Sequence, residues 1–382
     1  MRLRGRAAIV GVAESDLGEV GPDLTPLDLI GQATVAALED AGLEKKDVDG
    51  LFSASAFYHM PTLSVGEYLG IRPRYSDATN MGGSSFVSHL FHASAAIDAG
   101  LCEVALITYG STQRSQGGRL VSGSETLPYE VPYRPRYPVS AYALAASRHM
   151  HEYGTTREQL AEVAVAAREW AKMNPKAFVR DDLTVEDVLD SRMVSSPLAV
   201  RDCCLVTDGG GAVVVTGAER ARELRKPPVY VLGVGEAHWH RYISQMPDLT
   251  VSAAAESGPR AYSMAGISPE DVQVTMLYDA FTINVVMFLE DLGFCEKGEG
   301  GPFVSGGRIA PGGGLAVNTS GGGLSYCHPG MYGIFLLVEA ARQIRGEAGE
   351  RQQPDVNVAL AHGNGGVLSS QVTAILGSEA VL

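Results

Sequence analysis

Cysteine is scarce and poorly placed for pairing. Cys102, Cys203, Cys204, Cys295 and Cys327 form no C-x-x-C pair, and five thiols in a long chain do not make a disulfide framework. Basic residues are also in deficit: 30 Lys and Arg against 44 Asp and Glu leave a net charge of −14. That balance favours solubility and argues against general nucleic-acid binding, which needs a basic face. A local basic patch for a phosphorylated ligand stays compatible with it. No apolar run approaches a membrane span. The stretch Ala7 to Ala13 behind Arg2, Arg4 and Arg6 meets Glu14-Ser15-Asp16 too soon for a secretory signal. The expectation is a cytoplasmic protein. No G-x-S-x-G elbow or Walker loop occurs, so serine-hydrolase and nucleotide-hydrolase readings have no anchor.

What is present is apolar material at 45% over 382 residues, enough for two domains or two fused half-domains. Short apolar strands alternate with amphipathic helices, the α/β pattern. Ala7 to Val12 reads as a buried strand, Pro26 to Ala41 as a helix and Val48 to Ala54 as a strand. The same phrase returns. Ile9-Val10-Gly11-Val12-Ala13-Glu14 is echoed by Val231-Leu232-Gly233-Val234-Gly235-Glu236, and Ala41-Gly42-Leu43 with Asp47-Val48 by Ala265-Gly266-Ile267 with Asp271-Val272. Near-constant spacing implies duplication of a βαβ unit. The charged stretch Arg220 to Pro228 divides the halves, giving domains 1–225 and 226–382. An insertion without counterpart spans 112–198, opening with a Gly, Pro and Tyr-rich loop, Gln116 to Pro138, and continuing in helices such as Arg157 to Met173. Such an insertion covers an active site or makes an interface.

Three glycine-rich segments carry the candidate chemistry. Thr79-Asn80-Met81-Gly82-Gly83-Ser84-Ser85 precedes a helix whose Phe86, Leu90, Ala93 and Ile97 share a face. Backbone N–H groups there suit an anion, although a plain strand-to-helix turn reads the same way. Asn318-Thr319-Ser320-Gly321-Gly322-Gly323-Leu324-Ser325-Tyr326-Cys327-His328-Pro329-Gly330-Met331-Tyr332-Gly333 gathers a His-Pro step, two tyrosines and a cysteine in one loop. Few structural loops do that. Ala361-His362-Gly363-Asn364-Gly365-Gly366 follows a strand, Val356 to Leu360, and places a histidine at its end. His149 and His151, like His238 and His240, are spaced i,i+2 and make poor metal pairs; no metal site is expected. His89 and His92 read as packing or surface residues of a helix.

These segments resemble the thiolases. Asn318 to Gly333 is similar to their signature of asparagine, paired glycines and a Gly-His-Pro turn. Tyr278-Asp279-Ala280-Phe281-Thr282 is similar to the segment written Asn-Glu-Ala-Phe-Ala, or His-Asp-Cys-Phe-Ser in sterol-carrier thiolases. Asp202-Cys203-Cys204 and Thr207-Asp208-Gly209-Gly210 resemble the strand entry closing a thiolase first half. The nearest likeness is to bacterial lipid-transfer thiolase-like proteins, the group containing steroid side-chain aldolases. The resemblance implies a thiolase fold: two duplicated βαβαβ-type halves in five αβαβα layers, with an inserted loop domain.

The departures bear on chemistry. A thiolase has its acyl-accepting cysteine three residues after the first segment's asparagine; here Gly83 follows Asn80 at that distance. The family's proton-shuttle cysteine lies in the last glycine-rich turn, where this chain has His362. Cys327 is at neither position and reads as a structural thiol. A retro-Claisen cleavage needs a captor for the acyl group, whereas retro-aldol cleavage of a β-hydroxyacyl thioester releases a free ketone and needs none. Both need the thioester enolate stabilised.

The resemblance therefore implies an aldolase acting on a β-hydroxyacyl-CoA, with a 17-hydroxy steroid side-chain thioester as substrate class. His328 is then the donor to the thioester oxygen, an interaction worth roughly 3–4 kcal/mol in a transition state. Gly83 and Gly363 offer backbone N–H groups, and His362 a further donor or proton carrier. Tyr332, then Tyr278, are the candidate bases; a tyrosine of pKa about 10 needs help from neighbouring donors at neutral pH. Ser84, Asn318 and Tyr326 complete the expected substrate pocket. No permanently bound cofactor is expected, coenzyme A entering as part of the substrate. The likeness also implies a homodimer through the first-half sheet and a small acyl-CoA-binding partner with an OB-like fold and a zinc knuckle. Two competing readings are a non-catalytic acyl-CoA carrier or scaffold and an acyl transferase using Ser84.

Overall fold

The computed structural model describes residues 3–117 and 128–382. Met1, Arg2 and ten residues of the Gly, Pro and Tyr-rich loop, 118–127, lie outside the described residues.

The first half runs β1 (Ala7–Glu14), α1 (Pro26–Ala41), β2 (Gly50–Ser53), α2 (Pro61–Leu69), β3 (Tyr75–Asp77), α3 (Ser85–Asp98) and β4 (Val104–Ser111). The insertion follows, with α4 (Val139–Tyr153) and α5 (Arg157–Lys172), and β5 (Gly209–Gly217) closes the half. The second half runs β6 (Val229–His238), α6 (Ala254–Ala265), β7 (Val274–Leu277), α7 (Thr282–Asp291), β8 (Ala316–Val317), α8 (Gly333–Arg345), β9 (Val358–Gly365) and β10 (Ser370–Gly377).

Strand order across the first half is β1-β5-β4-β2-β3 and across the second β6-β10-β9-β7-β8. The two orders correspond strand for strand, as does every parallel or antiparallel pairing within them. The half-sheets join where Ala8 pairs with Tyr230 and Ile9 with Val229, making one ten-stranded sheet among the described residues. Helices α3 and α8 pack against strands of both halves and against each other, so they fill a central layer. Helices α1 and α6 pack on their own half-sheets. This gives the five-layer duplicated architecture that the resemblance implies.

The echoed sequence words have physical causes. Helix α1 starts at a Thr25 capping box with Pro26 in its first turn, both strong start signals. It ends on Gly42 at φ 73°, and α6 ends on Gly266 at φ 67°, the left-handed stop that glycine adopts without strain. Gly11 and Gly233 recur because each strand touches its helix: a Cβ would fall 2.1 Å from the Ala37 carbonyl oxygen in one half and 2.3 Å from that of Ala261 in the other.

Several boundaries differ from the sequence reading: β1 runs on to Glu14 rather than Val12, β2 is confined to Gly50–Ser53, and β9 begins at Val358 rather than Val356. Helix α5 ends at Lys172 rather than Met173. Strand β9 does not stop at Leu360: His362 to Gly365 continue its pairing with Thr373 to Ser370, so His362 lies inside a strand. Glycines in a strand read as a turn from sequence, but the cross-strand ladder holds them extended.

The insertion lies over the His-Pro loop. Asn174 donates to the Ser320 carbonyl, and the Phe178 and Val179 amides donate to Tyr326 and Ser325. His149 is buried, with Nδ1 at 2.8 Å from the Thr155 hydroxyl and Nε2 at 2.9 Å from Glu290 on α7. It ties the insertion to the second half. No helix among the described residues is long and apolar enough to cross a membrane.

Candidate active site

The His-Pro loop is shaped by a buried carboxylate. After β8, Asn318 takes a left-handed conformation at φ 53°, which asparagine tolerates. Its Oδ1 accepts the Leu277 amide at 2.7 Å, fixing the loop to β7. Gly322 to Tyr326 then form one π-helical turn wrapped around Asp279. The Asp279 carboxylate accepts the Gly323 amide at 2.6 Å and the Leu324 amide at 3.3 Å. A Cβ on Gly322 would lie 2.0 Å from a carboxylate oxygen, so only glycine lets the turn close that tightly. Burial pushes the Asp279 carboxyl up to about 7, against the opposing pull of those amides.

Three rings meet at the C-terminal end of β7. The Tyr278 hydroxyl accepts the Tyr332 amide at 3.1 Å and lies 3.2 Å from the Gly330 carbonyl and 3.1 Å from His328 Nε2. Tyr278 stands edge-on to both His328 and Tyr332, whose rings stack at 6.1 Å. His328 is 3% exposed, and its Nδ1 has no hydrogen-bond partner. Burial lowers its pKa to about 4, so the ring is neutral at pH 7. The Tyr332 hydroxyl is 3.1 Å from that of Ser320.

The sequence reading requires neighbours that lower a tyrosine pKa. The fold does the opposite, because burial pushes both Tyr278 and Tyr332 well above the usual range. Their companion imidazole is neutral, and an enclosed apolar site penalises a phenolate.

Gly83 explains the absent side chain. A Cβ there would fall 2.1 Å from one ring carbon of Tyr278, 2.5 Å from Cζ and 2.5 Å from the hydroxyl oxygen. The phenol occupies the room that a side chain at 83 needs. Gly363 lies alongside: its Cβ would meet Ser84 Cα and a Val87 methyl at 3.0 Å, so β9 and the start of α3 pack backbone to backbone.

Other expected site residues are engaged elsewhere. The Ser84 hydroxyl is buried and bonded to Ser370 at 2.7 Å. His362 has both nitrogens occupied, Nδ1 by the Thr373 hydroxyl at 2.8 Å and Nε2 by Gln371 Oε1 at 2.9 Å. It belongs to a chain running Tyr142, Asn364, Gln371, His362, Thr373, Ser257. Burial lowers its pKa to about 3. Tyr326 points into an ion cluster, donating to Glu14 at 2.8 Å. Burial opposes the Glu14 charge, but Arg342 and Lys176 more than offset it and hold the carboxyl well below its usual range.

Cys327 is buried and Cys204 half-buried, and desolvation raises both thiols well above the ordinary value. Such thiols stay protonated and unreactive. Among the described residues no cluster of three or more His, Cys, Asp or Glu is arranged to hold a metal ion.

Sequence reasoning missed the role of Asp279, the Glu14–Arg342 cluster and a cleft of about 670 Å³. The cleft is lined by Leu205, Leu324 and Ser325, by three arginines, Arg168, Arg192 and Arg201, and by two carboxylates, Asp187 and Asp190. Arg168 donates to the Ser325 hydroxyl at 3.0 Å, linking the cleft to the His-Pro loop. Arg168 and Arg192 lie far apart in the insertion and Arg201 just beyond it, with no motif to gather them; Glu14, at the end of an apolar strand, gave only the hint of a charge where burial was expected.

Comparison with known proteins places this geometry in context. Residues 235–378 match the family model described as thiolase C-terminal domain-like. The acetyl-CoA acetyltransferase of Methanothermobacter thermautotrophicus is 34% identical over 94% of this chain and 96% of its own. The steroid side-chain-cleaving aldolase of Thermomonospora curvata is 33% identical over 95% of this chain and 96% of its own. A solved Ltp2-ChsH2(DUF35) aldolase superposes with a TM-score of 0.90 at 33% identity, covering 99% of both chains. Transferase and lyase are thus about equally similar in sequence.

Proposed function

The chain belongs to the thiolase superfamily, and from that premise we propose that it is an aldolase cleaving the Cα–Cβ bond of a β-hydroxyacyl-CoA. The products are a ketone and a shortened acyl-CoA, and a 17-hydroxy steroid side-chain thioester is the proposed substrate class. The observation that carries the reading is the Tyr278 phenol standing over Gly83. An acyl transferase of this family needs a nucleophile there. A phenol beside a neutral imidazole suits a substrate hydroxyl instead.

In this reading His328 donates to the thioester oxygen as charge develops, and a tyrosine receives the β-hydroxyl proton. Tyr278 takes precedence over Tyr332, because its hydroxyl faces His328 while that of Tyr332 faces Ser320. The arginine-lined cleft beside Leu324 supports entry of the phosphorylated end of coenzyme A from the insertion side. His362 is reassigned from proton carrier to structural support, since both its nitrogens are committed within its hairpin.

We further propose a homodimer, a cytoplasmic location, no permanently bound cofactor and a small partner of the kind named in the Ltp2-ChsH2(DUF35) aldolase. The test is ketone release from a 17-hydroxy steroid side-chain CoA thioester, with and without such a partner, in the unmodified chain and in Cys204→Ala and Cys327→Ala. Cleavage retained without either thiol supports the aldolase. Absence of cleavage under every condition, with acyl-CoA binding retained, supports the carrier reading instead. An acyl-enzyme adduct detected by intact mass would sink the proposal.

A further inference from the structure

The Tyr278 hydroxyl has one proton and two acceptors within reach, the Gly330 carbonyl at 3.2 Å and His328 Nε2 at 3.1 Å. The two choices dictate different imidazole tautomers. With the phenol proton on the carbonyl, His328 must donate from Nε2 and Nδ1 is a bare lone pair. With it aimed at Nε2, the ring proton sits on Nδ1. In either case Nδ1 is buried without a partner. Leaving a buried polar atom unpaired costs about 1–3 kcal/mol, so the folded site holds this atom ready for a ligand.

We infer that Tyr278 and His328 form a proton relay, in which the imidazole takes the phenol's proton at Nε2 while Nδ1–H holds the enolate oxygen. The inference rests on the aldolase reading and adds the proton's destination. In the cleavage step the substrate hydroxyl proton moves to the Tyr278 oxygen as the phenol's own proton moves to Nε2. The Cα–Cβ electron pair flows to the thioester oxygen, and the carbinol carbon becomes a ketone. In the return step Nε2 gives its proton back to the phenol oxygen, the phenol proton passes to Cα, and the thioester carbonyl re-forms. One proton has moved from oxygen to carbon, with no oxidant or reductant.

The relay answers a difficulty of the resting site. Burial disfavours the phenolate and the imidazolium alike, so neither exists before substrate arrives. The enolate charge forming against Nδ1 favours imidazolium only as the bond breaks, since a nearby opposite charge stabilises the protonated ring. The Tyr332 amide, 3.1 Å from the phenol oxygen, steadies that oxygen between its two proton partners.

The test is a proton inventory of kcat in mixed H2O and D2O with the 17-hydroxy steroid side-chain CoA thioester. The unmodified chain, with its partner present, is expected to give a curved inventory from two protons in motion. His328→Gln keeps an acceptor for the Tyr278 hydroxyl yet takes up no proton. Its kcat is expected to fall on the order of 10²–10³-fold, with a linear inventory and KM changed by less than about threefold. A linear inventory in the unmodified chain overturns the relay without any variant being made. A folded His328→Gln that keeps a curved inventory and nearly full kcat also overturns it. No cleavage by the unmodified chain overturns the aldolase reading itself.

Discussion

Replacing Gly83 by alanine adds one methyl group at the centre of the site. The new carbon would lie 2.1 Å from a Tyr278 ring carbon, where non-bonded carbons keep about 3.5–4.0 Å. The ring must therefore retreat by roughly 1.4 Å or more. Its hydroxyl contacts at 3.1, 3.1 and 3.2 Å have no such slack. A shift of that size breaks the contacts with His328, the Tyr332 amide and the Gly330 carbonyl together. Overpacking of this kind costs about 1–3 kcal/mol of stability, and misplacing a reacting group by an ångström costs about 100-fold in rate. The assay pairs thermal melting with ketone release. Gly83→Ala is expected to melt lower and to lose at least about 100-fold in kcat. Adding Tyr278→Ala removes the clash, so the double variant regains melting temperature while staying inactive. Wild-type melting and turnover in Gly83→Ala would refute the claim that the phenol fills this slot.

Three further outcomes follow from the same geometry. Burial raises the Asp279 carboxyl to about 7 from an ordinary 3.8, so the folded state holds a proton that the unfolded chain releases. Stability should then fall as pH rises from about 4 to about 7, by at most about 4 kcal/mol, and level off above. Asp279→Asn, which cannot ionise, should flatten that slope in urea titrations; an unchanged slope would assign it to other groups. Arg342→Met removes the main charge partner of the buried Glu14 carboxylate and leaves it only the Lys176 ammonium and the Tyr326 hydroxyl, and should cost about 3–5 kcal/mol in denaturant unfolding. A loss below about 1 kcal/mol would mean that water already screens the pair. His362→Gln breaks the chain between Gln371 and Thr373 and should cost about 1–3 kcal/mol with kcat nearly unchanged. A collapse of kcat in a stably folded His362→Gln would return His362 to the chemistry.

Much of the architecture is legible in residue order because its causes are local. The Ala-Gly helix stops at 42 and 266 and the strand glycines at 11 and 233 recur since each half packs its helix on its strand at the same near-contact distance. The loop Asn318 to Gly333 stands out by composition and the segment Tyr278 to Thr282 by its resemblance to thiolases, and the fold brings their Tyr278, His328 and Tyr332 together. The last glycine-rich segment misleads for an equally physical reason. His362-Gly363-Asn364-Gly365 has turn composition, yet its backbone groups are satisfied by the opposing strand, and its histidine by that strand's side chains.

Sequence by itself determined the duplicated α/β plan, the lack of a cysteine at position 83 and the small set of residues able to do chemistry. The duplication is carried by spacing and residue type, while the weight of position 83 and of Tyr278 comes from the resemblance to thiolases. Only the tertiary structure decided which of those side chains meet, and in what state of charge. The distance from Gly83 to Tyr278 spans two halves of the chain, and the neutral forms of His328, Tyr278 and Tyr332 follow from the enclosure around them. Burial and proximity are properties of the assembled layers, and no local stretch of sequence contains them.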